Sequence, residues 1–392
     1  MQETERSSAS ASIKLLTEQL IDQGNYVEAL AQARALLTSS PPDAEIYALL
    51  GNIEINLGRL SIARRYLLEA LRLAPESEMA RENIASLDDL EIQVTDGEYI
   101  HRWLDWRTKH LDFPRMIYLE TTGRCNAKCN FCPHPGLDRK FDTMSDELFE
   151  KIVIEASGFP ADQFVGFSLH AVNEPFMDRK IFDRLSVINQ RVPHAQIGIF
   201  TNMNVMPPQF FERIRGIREI SDWSISFNAA NKPEYEESMQ IDFARTVSNI
   251  RRVFTENRTA PFVKGPIGLS RVCTDDDRDK QFVDQCKTLF DDFACGTDFE
   301  PRLLSRANWL GDVSGSPNRY WHSYPCYQWV NFVIHCNGIV PHCCVDARGQ
   351  FPFGDVSKQS IQAIYNSPHW RILREKTSCR DAVYPCSTCN LR

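Results

Sequence analysis

Thirteen cysteines, and where they fall, constrain this chain more than any other feature. None precedes Cys125, and seven crowd between Cys326 and Cys389. Such clustering fits metal or cluster ligation better than a disulfide framework. The first residues, MQETERSSASAS, hold neither a basic nor an apolar stretch of the secretory kind. A cytoplasmic protein with reduced thiols is therefore expected. No apolar run approaches the roughly 18 to 20 residues that cross a bilayer, so no membrane partner is expected. A formal charge of −8 argues against a broad nucleic-acid footprint. The 392 residues, 43% of them hydrophobic, suffice for two or three packed cores.

Three parts follow from the pattern. Residues 1–95 carry an internal repeat of thirty-four residues: Tyr47, Leu50, Gly51, Gly58, Ala63, Ala70 and Pro75 answer Ile13, Leu16, Gly24, Ala29, Leu36 and Pro41. That period is the helix–turn–helix tetratricopeptide pattern, with 78–91 as its closing helix. Two repeats are few for a free solenoid, so the module is expected to bind a partner or peptide, or to pack or self-associate. Residues 96–113 are expected as a linker. Over 114–310, strands at 116–122, 163–170, 196–202, 223–228, 262–270 and 297–304 alternate with helices near 145–156, 178–191, 207–215, 233–256 and 276–292. The expected class is α/β: a partial (β/α)6 TIM-like barrel between the all-α module and a small cysteine-rich domain at 311–392. In such a barrel the site lies at the C-terminal ends of the strands.

The first strand runs into GRCNAKCNFCPHP, with Cys125, Cys129 and Cys132 spaced C-x3-C-x2-C. Three thiolates this close can hold one face of a [4Fe–4S] cube and leave one iron open. A zinc site with His134 as fourth ligand, or inert core thiols, fit the spacing alone. The loop resembles the signature of the radical S-adenosylmethionine (SAM) superfamily. The resemblance implies that SAM chelates the open iron and is reductively cleaved to a 5′-deoxyadenosyl radical that takes a substrate hydrogen. By the same resemblance Phe131 meets the adenine, and Asn173 and Glu174 in HAVNEP meet the SAM ammonium, although Ala171 and Val172 depart from the family's glycines. Asn202, in Thr-Asn-Met where the family has Thr-Asn-Gly, and Ser226 and Asn228 are implied further SAM contacts. Alternation puts Ser224, Ser226 and Asn228 on one face. The family's carboxylate-binding arginine is missing near Met239, leaving Arg245 and Arg271 as candidates.

Cys326, Cys343, Cys386 and Cys389 resemble the SPASM extension, and more closely its short twitch form. The resemblance implies one auxiliary [4Fe–4S] cluster, two clusters in all, with Cys344 the alternate to Cys343. The segment HCNGIVPHCCVD is expected as a hairpin turning at Asn-Gly. A zinc site on the same four ligands is the rival. The expected function is a radical SAM oxidoreductase on a small sugar or cyclitol, fed by a flavodoxin- or ferredoxin-type donor. A peptide- or protein-modifying maturase is the alternative, and a non-catalytic zinc-binding tetratricopeptide scaffold is the reading of another class. Arg302, Arg306, Asp312 and His322 are weak catalytic candidates.

Overall fold

A computed structural model describes residues 13–39, 43–57, 60–84, 96–274, 276–314, 324–377 and 379–390. Pro41, Gly58 and His322 lie outside them. The chain divides into two compact units, one holding the described residues through Trp103 with 324–325 and 379–387, the other 104–314, 326–377 and 388–390.

The first unit is helical: α1 (13–22), α2 (Tyr26–Ser39), α3 (Ala44–Asn56), α4 (Leu60–Leu73) and α5 (78–84). Asp43 caps α3, its side chain accepting from Glu45 N. Small residues let the helices close: a Cβ on Gly51 would fall 2.4 Å from Leu67. Ala29, Ala33, Ala63 and Ala70 are fully buried. The stretch expected as a linker begins as a helix, α6 (Asp96–Lys109).

The second unit is built on one parallel sheet. Its strands are β1 (Met116–Leu119), β2 (Gly166–Ser168), β3 (Gln196–Thr201), β4 (Ile220–Ser226), β5 (Ile267–Val272), β6 (Phe299–Leu304) and β7 (Phe332–Ile334), in the order β6-β5-β4-β3-β2-β1-β7. The connecting helices are α7 (Asp146–Ser157), α8 (Ile181–Arg191), α9 (Phe210–Arg215), α10 (Lys232–Met239), α11 (Phe243–Thr259) and α12 (Asp277–Leu289). Ser145 caps α7 by accepting from Leu148 N. The six expected strands are present, and a seventh joins from the cysteine-rich region, Phe332 pairing in parallel with Ile117.

The long helix expected over 233–256 is two. Gln240 adopts a left-handed backbone, φ 56°, that ends α10, and Asp242 caps α11 through Arg245 N at 2.6 Å. The expected hairpin is also different. A turn with Gly338 at φ 88° follows β7, but β8 (Ile339–Val340) pairs with β9 (Gly354–Asp355) while β7 belongs to the large sheet. Two helices, α13 (Ile361–Tyr365) and α14 (Pro368–Glu375), follow, and Trp370 of α14 stacks on Phe332 and Phe353.

Side-chain alternation gives the sheet two unlike faces. Phe167, Trp223 and Phe299 share one face, where Phe176 and Phe210 meet Trp223, Phe254 meets Phe299 and Phe164 meets Phe167. The opposite face carries Tyr118, Ser168, Asp222, Ser224, Ser270 and Arg302.

At the end of β1, the Glu120 carboxylate is fully buried and receives Arg139 Nε at 2.6 Å and Nη2 at 2.9 Å. It also accepts Val172 N and Cys336 N, both at 3.3 Å, while Arg139 donates to the Ala347 carbonyl. Burial alone would raise the carboxyl, but the Arg139 pair outweighs it and holds Glu120 below the usual carboxylate range. Arg139→Ala should cost about 3–5 kcal/mol, because it strands a buried charge. The measure is denaturant resistance at neutral pH. A carboxyl depressed by folding stabilises above its unfolded value of about 4 and loses that contribution as pH falls, so variant and parent should converge in acid.

Candidate cluster and substrate site

The cysteine loop leaves β1 and returns beside it. Thr122 and Thr143 form an antiparallel bridge, Gly123 N donates to Asp142 O at 2.9 Å, and Met144 N to Thr121 O at 2.9 Å. Gly123 admits this closure, since a Cβ there would lie 2.1 Å from the Arg139 carbonyl. His134 Nε2 meets the Gly123 carbonyl at 2.7 Å, so that nitrogen carries the proton and braces the loop. Lys128 N and Asn130 N donate to the Met239 and Ser238 carbonyls at the end of α10.

Cys125, Cys129 and Cys132 are free and partly buried. Burial pushes Cys125 up to about 12, helped by the Glu174 charge, and Cys132 to about 11. Cys129 is driven well above its ordinary value by burial and then by Cys132 and Cys125. Three neighbouring thiols that resist ionisation suit a bound cation that stabilises them as thiolates. Among the described residues no three His, Cys, Asp or Glu side chains close on a point as a single ion demands. A [4Fe–4S] cube asks instead for one thiolate at each of three irons.

The other expected SAM contacts cluster nearby, with varied commitments. Glu174 is buried; one oxygen accepts from Thr201 Oγ1 at 2.7 Å and Phe176 N at 3.1 Å, the other from Asn202 N at 2.6 Å. Burial lifts it to about 7 against these bonds. Asn173 Oδ1 accepts from Ala171 N, while its Nδ2 is buried with no protein partner. Phe131 offers its carbonyl to Trp309 Nε1 at 2.9 Å. Ser226 is half-buried at the end of β4, on the face of Ser224. Asn228 leaves that alternation because its φ is 57°; its Oδ1 takes Val272 N and its Nδ2 reaches Met239 Sδ at 3.0 Å. Met203, where the family has glycine, sits buried at φ 54°.

Arg271 is not a free carboxylate binder. It is buried against Asp279 at 2.7 Å, Glu234 at 2.8 Å and the Asn228 carbonyl. Arg245 is exposed on α11. Arg306 donates to Ser314 O, and Asp312 pairs with Arg348 at 2.9 Å, so both hold the segment after β6. Arg302 lies on the face of Ser168 and Ser224, paired with Asp222 at 2.9 Å over Gly268, whose missing Cβ makes room for the guanidinium.

That face also holds residues the sequence reading did not select. His170 Nδ1 bonds Ser168 Oγ at 2.8 Å, and its ring lies 4.1 Å from Phe200 and 5.3 Å edge-on to Tyr118. Burial lowers His170 to about 4, leaving it neutral at ordinary pH. Ser224 and Ser270 bond at 2.5 Å. The i, i+2 spacing of Ser168 and His170 was the available signal, the same one that singled out Ser224 and Ser226. Tyr118 bonds the Gln328 side chain and feels the charge of Cys344.

Among the C-terminal cysteines, Cys344 is raised to about 12 by burial, then by Cys326 and Cys389. Asn390 takes Asn308 N at 2.6 Å and donates to the Arg306 carbonyl, fixing the residue after Cys389. Cys386 is buried and three residues earlier in sequence. The Cys343 carbonyl closes a turn with Asp346 N at 3.1 Å. Cys344→Ser is expected to remove more iron from reconstituted protein than Cys343→Ser, as measured by iron and sulfide content.

Residues 326–390 match the iron–sulfur cluster-binding domain SPASM, and residues 20–83 match the tetratricopeptide repeat. The Streptococcus suis protein SuiB, solved with its precursor peptide SuiA, covers 90% of this chain and 87% of its own at 12% identity, with a TM-score of 0.53. BtrN, solved with AdoMet and 2-DOIA, covers 71% of this chain and 93% of its own at 17% identity, with a TM-score of 0.48. A tungsten-containing aldehyde ferredoxin oxidoreductase cofactor-modifying protein of Pyrococcus furiosus is 26% identical over 100 residues, 26% of this chain and 27% of that relative's length. No helix among the described residues is long and apolar enough to cross a membrane. Residues 20–83 thus carry tetratricopeptide repeats, residues 326–390 a SPASM iron–sulfur cluster-binding domain, and the chain shares its fold with SuiB.

Proposed function

We propose that the chain is a radical SAM oxidoreductase that oxidises a small polar substrate of sugar or cyclitol type. The observation that carries this reading is the cysteine loop, clamped by Glu120 and Arg139 at the C-terminal end of β1. A [4Fe–4S] cluster on Cys125, Cys129 and Cys132, with SAM at its open iron, would supply reductive sulfonium cleavage and radical initiation. Asn173 Nδ2, a buried donor with no protein acceptor, fits an oxygen of SAM. Phe131 and Ser226 remain its neighbours of choice for the adenosyl part. Cys326, Cys344, Cys386 and Cys389 are proposed to hold one auxiliary cluster, with a flavodoxin- or ferredoxin-type protein as electron donor.

The sheet face opposite the Phe167 and Trp223 side supports this substrate class. Phe200 and His170 present ring surfaces on which an apolar sugar face can stack. The Arg302–Asp222 pair, each member part-exposed, can exchange partners with a substrate's polar groups. A neutral His170 can accept a proton from a hydroxyl or amine. The second reading is a peptide substrate, favoured by the repeats at 20–83.

Anaerobic reconstitution of the full chain should give about eight irons, the content of two four-iron clusters. With SAM and dithionite it should release 5′-deoxyadenosine. The variant Cys125→Ala/Cys129→Ala/Cys132→Ala should abolish release and lose about half the iron. Colourless protein would overturn the proposal and favour the zinc scaffold, and iron and release unchanged in that variant would overturn the assignment of the cluster to the triplet.

A further inference from the structure

Asn202 was expected to touch SAM, but its side chain is aimed elsewhere. Its backbone is fixed by Glu174, which takes Asn202 N at 2.6 Å. Its Oδ1 accepts Asn204 N at 2.9 Å. That acceptor assignment settles which end of the amide is which. Nδ2 must then face the cysteine loop, where it donates to Asn126 Oδ1 at 2.9 Å and points at Cys125 Sγ at 3.9 Å, the outer range of an N–H···S contact. Asn126 Nδ2 in turn donates to Asn204 Oδ1 at 3.0 Å, and Asn204 Nδ2 to Thr246 Oγ1 at 3.1 Å and the Asp242 carbonyl at 3.0 Å. Three amides thus lock one another in a fixed sense. The second cysteine has a different neighbour: Cys129 Sγ lies 3.4 Å from Met239 Sδ, a thioether steadied by Asn228.

We infer that Asn202 is a positioning residue for Cys125, its amide N–H donating to the sulfur and setting the reduction potential of the cluster that the triplet holds. This rests on the reading that the triplet carries a cluster. Reduction adds one negative charge, shared by the cluster sulfurs and their thiolates. A fixed N–H aimed at one of those sulfurs stabilises the reduced state more than the oxidised one, and burial strengthens the effect. A Glu174 carboxylate, when ionised, acts in the opposite sense from its place on Asn202 N. Asn202 is 5% exposed, so little solvent competes for the contact.

The test uses the reconstituted full chain with 15N-labelled asparagine. Electron–nuclear double resonance on the dithionite-reduced cluster should show an exchangeable proton and a 15N coupling. Both should vanish in Asn202→Ala and Asn202→Asp, and the midpoint potential should fall, lowering the reduced fraction several-fold at a fixed solution potential. Asn126→Ala breaks the amide ladder but keeps the donor, so its potential should stay near that of the parent. Absence of the couplings in the parent chain overturns the inference, whatever the variants do. So does an equal shift in Asn126→Ala and Asn202→Ala, which would mark a scaffold effect, or an unchanged potential in an iron-replete Asn202 variant. Iron retained by the triple cysteine variant would instead sink the cluster reading on which the inference rests.

Discussion

The buried pair of Glu120 and Arg139 is the contact on which the site depends. Glu120 ends β1, and Arg139 lies on the returning arm of the cysteine loop. Between them they collect backbone groups of Val172 after β2 and of Cys336 and Ala347 in the C-terminal segment. One ion pair therefore fixes four chain segments around the loop. A pair of this kind adds little net stability over an apolar substitute, since two charges leave water to form it. Its use here is directional: every donor must reach one carboxylate, which leaves the loop few alternative placements.

A second consequence is that, within the second unit, the triplet loop and the segment holding Cys326, Cys343 and Cys344 share a framework. β7 extends the large sheet beside β1, so the C-terminal segment grows from the same strand layer as the triplet loop. Trp309 ties Phe131 to the turn after β6, and the same turn binds Asn390 next to Cys389. Arg348 joins Asp312 to the Gly136 carbonyl. The Tyr118 ring lies 5.3 Å edge-on to His170, and its hydroxyl bonds the Gln328 side chain.

Much was legible in sequence because it depends on local pattern. The cysteine spacing, the six strands and the thirty-four-residue repeat each show within a window of a few dozen residues. Departures arose where a backbone choice or a distant partner decides. Nothing in SMQID announces that Gln240 will turn left-handed and split the helix, beyond an aspartate able to cap the next one. Asn228 has the spacing of an inner-face residue, yet a positive φ turns it away. Arg271 reads as an available cation, but Asp279 and Glu234 consume it. The hairpin failed because β7 found a partner in β1, a strand more than two hundred residues earlier.

By itself, the sequence determined where the thiols gather and the class of fold, since side chains close together in the chain must be close together in space, and alternating strands and helices favour a parallel sheet. Only the tertiary structure decided what each polar side chain does. Whether an asparagine serves a ligand, a backbone or a sulfur depends on which acceptors the fold delivers within about 3 Å. Those acceptors come from segments that residue spacing does not connect, so Asn202, Arg271 and His170 acquired their settings only when the sheet was assembled.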